Sequence, residues 1–77
     1  MSEMSTAERL AYMANQIARN FGTLPDDKAA EETAQHIVDF WDPRMIEGLL
    51  NGEMQRLSPV ALRAMEIVAA HRSHRAA

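Results

Sequence analysis

Apolar residues recur along this chain with the period of an α-helix and nowhere with the alternation of a strand. Leu10, Met13, Ala14, Ile17, Ala18 and Phe21 fall at the spacings that place side chains on one helical stripe. Ser5 and Glu8 stand three apart ahead of that stripe, as a capping box requires, and Gly22 follows it where a C-terminal stop belongs. The pattern predicts a first helix over residues 5–21. After Thr23-Leu24-Pro25 it predicts a second over 26–41, capped by Asp26 or Asp27. Ala30, Thr33, Ala34, Ile37, Phe40 and Trp41 share the expected buried face, widened by Ala29 and Val38.

Asp42-Pro43 closes one helix and opens the next. The residue before a proline is pushed out of the helical region, while proline at the first helical position gives up no needed N–H. A short third helix follows over 43–50, with Met45, Ile46, Leu49 and Leu50 as its apolar residues and Asn51-Gly52 as its stop. Ser58-Pro59 repeats the arrangement and starts a fourth helix over 59–71, with Leu57 and Leu62 at hydrophobic-staple spacing. Leu62, Met65, Val68 and Ala69 form one stripe on it; Val60, Ala64 and Ile67 form another. An arc that wide means the helix is either enclosed within the fold or docked on another chain. Residues 51–57 are the one connection long enough to hinge, and 72–77 read as a flexible tail. The expectation is all-α: a small orthogonal bundle of three to four helices with short connections, one domain over 1–77.

Length sharpens this picture. A chain of 77 residues buries only roughly 60–65% of its unfolded surface, so its core is marginal. There is no cysteine to staple it, and with four aromatic residues the core rests on aliphatics and six Met. Small domains without staples lean on a partner or on oligomerisation. The net charge of −3 disfavours nucleic acid. That charge is uneven: residues 1–53 carry net −6 and residues 54–77 net +3, with His71, Arg72, His74 and Arg75 at the basic end. No apolar run is long enough to cross a bilayer, and no basic region leads into an apolar stretch near the N-terminus. The expected compartment is the cytoplasm.

Catalytic chemistry is hard to find. Lys28 sits among acids at a helix start, Ser58 reads as a cap, and the pairs Asp26-Asp27 and Glu31-Glu32 sit where acids are ordinary on helices. His36 with Asp39, and His71 with His74, share helical faces, but two incomplete pairs fall short of a zinc site. Helices two and three imitate a helix-turn-helix, yet the second would present Arg44, Glu47 and Glu53 to phosphates. The expectation is no catalytic, cofactor or metal site in this chain.

The junction Phe40-Trp41-Asp42-Pro43-Arg44-Met45 carries more information. Trp41 reads as a plug that pins the corner. Arg44 lies near the positive end of the third helix, where a cation is mildly unfavourable unless Asp39, Asp42 or Glu47 offsets it or it reaches another chain. With Met13-Ala14-Asn15-Gln16-Ile17 and His36-Ile37 upstream, this string resembles the delta subunit of NAD-dependent formate dehydrogenases, over about residues 8–50. From Asn51 onward the resemblance fades.

The resemblance implies a non-catalytic companion of a cytoplasmic formate-oxidising enzyme. Its partner, the large catalytic subunit, belongs to a complex that holds a molybdenum or tungsten pterin cofactor, iron–sulfur clusters, flavin and NAD. The small chain serves assembly, stability or cofactor maturation. Partner-binding candidates are Tyr12, Asn15, Gln16, Arg19, His36, Trp41, Arg44 and Met45. The alternative is a self-associating helical adaptor, a homodimer built on the fourth helix and unrelated to redox chemistry. A homo-oligomer of the isolated chain fits either reading.

Overall fold

A computed structural model describes residues 3–76, with side chains through Ser73. Among them are four α-helices and one 3₁₀ turn: α1 Thr6–Asn20, α2 Asp26–Phe40, α3 Pro43–Leu50, the turn Met54–Arg56, and α4 Pro59–Ala76. The protein is all-α, a small helical bundle. α4 runs on through Ala76, where the sequence ended it near His71 and placed a tail. The His71–His74 pairing and the charge of Arg75 lie outside the described side chains.

The helix starts follow the capping chemistry in two cases of three. Ser5 Oγ accepts the Glu8 N–H at 3.1 Å and the Ser5 N–H donates to Glu8 Oε1 at 2.8 Å, a complete capping box. Asp42 accepts from the N–H groups of Arg44 and Met45 at 2.8 and 3.1 Å, with Pro43 at the first helical position. α2 departs from expectation. Its cap is Pro25, whose side chain offers no acceptor, and Asp26 and Asp27 instead fall inside the first turn, where they favour the positive end of the helix dipole. Gly22 takes no left-handed conformation; α1 ends by tightening, with Phe21 and Gly22 N–H groups donating to Ala18 and Arg19 carbonyls at 3.1 and 3.0 Å.

The core is one cluster of Leu10, Ala14, Ile37, Trp41, Ile46, Leu49, Met65 and Val68 with smaller neighbours. α4 lies most extensively against α2, and α1 crosses α2, α3 and α4. The buried stripe of α4 is Ala61, Ala64, Met65 and Val68, each wholly inaccessible, while Leu62 is exposed. The two positions proposed for α4 are thereby resolved: it is enclosed within the fold. On α1 the buried residues are Leu10, Ala11, Ala14 and Ala18, so the stripe is turned toward the alanines and Met13 and Ile17 are only half-buried.

The 51–57 connection is no free hinge. The Asn15 side chain bridges it, its amide N–H donating to the Arg56 carbonyl at 3.0 Å and its oxygen accepting the Ser58 N–H at 2.8 Å. Arg56 pairs with Glu8 at 2.7 Å. A Cβ on Gly52 would meet the Ala7 Cβ and the Gly48 carbonyl oxygen at 2.7 Å, so only glycine lets this end of the connection approach α1 so closely.

Candidate functional site

The corner after α2 separates two adjacent aromatic residues. Trp41 leaves the helix in an extended conformation (φ −91°, ψ 141°) and turns inward to 7% exposure, i+4 from buried Ile37. Phe40 follows His36 along the neighbouring row and stands 74% exposed. Its placement corrects the expectation of a shared buried face. Consecutive helical residues diverge by about 100°, so Phe40 and Trp41 cannot both follow Ile37 into the core. The imidazole of His36 and the Phe40 ring instead face each other, centroids 4.7 Å apart.

These residues form one wall of a groove of about 460 Å³ between α1 and the C-terminal half of α2. Tyr12, Met13, Gln16 and Ile17 form the other wall; His36, Phe40 and Trp41 complete it. Three of the four aromatic residues in the chain therefore converge on one surface depression. Gln16 Nε2 donates to Tyr12 Oη at 2.9 Å, which satisfies the phenol along the rim. The lining is otherwise apolar, suited to excluding water against a complementary surface and poorly suited to proton transfer.

Of the eight sequence-selected residues, the structure brings Tyr12, Gln16, His36 and Trp41 together in this groove. Asn15 and Arg19 lie toward the start of α4, beside Ser58 and Val60, and Asn15 is engaged there in holding the connection. Met45 is half-buried against the core. Arg44 is exposed and forms no ion pair among the described residues. Each acid named as its offset is engaged elsewhere: Asp42 caps α3, Glu47 binds Arg72 at 2.9 Å, and Asp39 accepts from Gln35 at 2.9 Å. Met13, Ile17 and Phe40 had been assigned to the interior and belong to the groove as well. The signal for Phe40 was its adjacency to Trp41 in the last turn of a helix.

Two further features bear on chemistry. The Ser5 N–H, and then the Arg56 guanidinium, hold the Glu8 carboxyl below its ordinary pKa. Among the described residues no three of His, Cys, Asp and Glu converge as a metal site would require. No helix is long and apolar enough to cross a membrane, again among the described residues.

Fold and groove together define a small all-helical protein whose exposed chemistry is apolar and aromatic contact. A family model described as the NADH-dependent formate dehydrogenase delta subunit, FdsD, matches residues 9–65, and the chain belongs to that family. The match includes every groove residue and extends past Leu50, where the visible resemblance faded, into α4. No curated protein and no solved structure matches the chain.

Proposed function

We propose that this chain is a non-catalytic accessory subunit of a cytoplasmic NAD-dependent formate dehydrogenase that docks through the α1–α2 groove on the large catalytic subunit. The observation that carries the reading is the convergence of Tyr12, Phe40 and Trp41 on one exposed depression inside the family-matched span. Aromatic side chains dominate binding energy where they enter a desolvated pocket, because they supply large contact area at small conformational cost. Phe40 is the anchor, since it is the most exposed large apolar residue of the chain. Arg44, an unpaired cation at the corner, supplies orientation through a carboxylate or carbonyl of the partner.

In this reading the complex keeps its molybdenum or tungsten pterin, iron–sulfur clusters, flavin and NAD on the larger subunits. The small chain contributes by holding the large subunit in a form competent for assembly or for receiving its cofactor. Co-expression with an affinity-tagged large subunit tests the docking. Wild-type chain co-purifies; Phe40→Asp, which disturbs no buried contact, retains its helical circular dichroism and is lost from the complex. Undiminished co-purification of a folded Phe40→Asp chain overturns the groove as the docking surface. Pterin content of large subunit purified with and without the small chain then separates cofactor maturation from simple stabilisation.

A further inference from the structure

The groove face is ordered in charge as well as in shape. On α1, the exposed charged residues on the groove side in the helical register are Arg9 and Arg19, while Glu8 is occupied by Ser5 and Arg56. On α2, the exposed charges beside His36 and Phe40 are Glu32 and Asp39, with Lys28 nearer the helix start. Arg9, Arg19, Glu32 and Asp39 make no ion pair among the described residues. One wall is therefore basic and the other acidic, with apolar rings between.

A face with that order is its own complement. A half-turn about an axis along the groove lays α1 of a second copy over α2 of the first, so base meets acid at both rims. A half-turn about an axis across the groove would instead set arginine against arginine. We propose that the isolated chain forms a two-fold homodimer through the α1–α2 groove, in the first of these arrangements, with each Phe40 entering the groove of the other copy. α4 does not supply the contact, because Ala61, Ala64, Met65 and Val68 are already enclosed.

Size sets the strength. Each helix of the face has 15 residues, about 22 Å in length, and two helices side by side offer a footprint on the order of 400–500 Å². That is below the ~800 Å² per partner of a standard stable interface, so the dimer is reversible. It covers the rings while the chain is alone and exposes them on dissociation. The inference stands on the groove's own charges and does not require the large-subunit reading.

Analytical ultracentrifugation of the full chain over a wide concentration range tests it, with circular dichroism to verify folding. The wild-type chain shows a monomer–dimer equilibrium that weakens as salt is raised. Phe40→Asp raises the dissociation constant by about tenfold or more. Arg9→Glu with Arg19→Glu gives a monomer, as does Glu32→Lys with Asp39→Lys, and mixing the two double variants restores a dimer. A wild-type chain that stays monomeric overturns the proposal. So does a dimer that strengthens with salt, one that survives Phe40→Asp and both reversals, or a mixture that fails to associate. Docking on the large subunit is read separately by co-purification, so either proposal can fail alone.

Discussion

The two flanks of α2 are built on opposite principles. Toward α4 the seam is closed by small residues: Ala30 and Ala34 on α2, Ala61 and Ala64 on α4, all buried. Toward α1 the residues are large, Met13 and Ile17 against His36, Phe40 and Trp41, and the seam stays open as a groove. Small side chains let helix axes approach and remove apolar area from water on both sides. Bulky rings at a corner hold the axes apart and leave their own faces uncovered. A small chain spends its closest packing where it must hold itself together and leaves its largest side chains where a partner can cover them.

An open seam raises the question of what holds α1. The answer is polar and local: Asn15 bridges the connection before α4, Glu8 binds Arg56, and Gly48 and Gly52 admit Leu10 and Ala7 at close range. The flanks should thus fail differently. The largest effect is expected at Trp41, which belongs to both, lining the groove with one edge while packed into the core. Trp41→Ala should lower unfolding free energy by about 3–5 kcal/mol in urea denaturation, whereas Phe40→Ala, one residue away, should change it by no more than ~0.5 kcal/mol. Equal losses would erase the distinction between the flanks.

Next comes the clamp on α1. Asn15→Ala leaves the Ser58 N–H and the Arg56 carbonyl without this partner, an expected cost of about 1–3 kcal/mol. Asn15→Asp retains the acceptor for Ser58 and loses the donor to Arg56, so it should fall between alanine and wild type. Hydrogen exchange at the Ser58 amide locates the effect: protection should drop in Asn15→Ala and persist in Asn15→Asp. Unchanged protection in both would mean that α1 is held by packing after all.

The closed flank contains one blemish that sharpens the comparison from the other side. Thr33 is wholly buried on α2 and its hydroxyl has no hydrogen-bond partner. Thr33→Val keeps the shape and removes the unpaired group, with an expected gain of about 1 kcal/mol in unfolding free energy. A loss instead would reveal a hydrogen bond made by that hydroxyl.

What could be read from the sequence follows the same division between local and distant causes. The helices and the Asp42-Pro43 corner were legible because capping boxes and proline positions act within a few residues, as the Ser5–Glu8 and Asp42–Arg44 bonds show. The groove was half legible. Tyr12, Gln16, His36 and Trp41 were selected, but Phe40 was sent inward because periodicity cannot decide which of two adjacent aromatics a helix end turns toward the core. The Asn15 clamp was not legible at all. Its partners lie 41 and 43 residues away, and a polar residue mid-helix looks the same whether it meets solvent, a partner chain or a distant loop of its own. The same non-locality hid the enclosure of α4, whose wide apolar arc fits an interior helix and a docking helix equally.

The smallest expected effect concerns the far end of the same clamp. Glu8 accepts the Ser5 N–H and pairs with Arg56, and both lower its pKa in the folded chain. A carboxyl depressed on folding adds stability that is fully present above its unfolded pKa and is lost as pH falls through the folded value. Glu8 is solvent-exposed enough for screening to keep that contribution small. Glu8→Gln should therefore be slightly less stable than wild type at neutral pH, with the difference shrinking to nothing once the pH lies below the folded carboxyl's range. Urea midpoints of the two chains, measured in parallel from neutral to acid at low salt, read the difference directly. A gap that persists at acid pH would assign the role of Glu8 to hydrogen-bond geometry at the start of α1, and its charge pairing with Arg56 would then hold nothing in place.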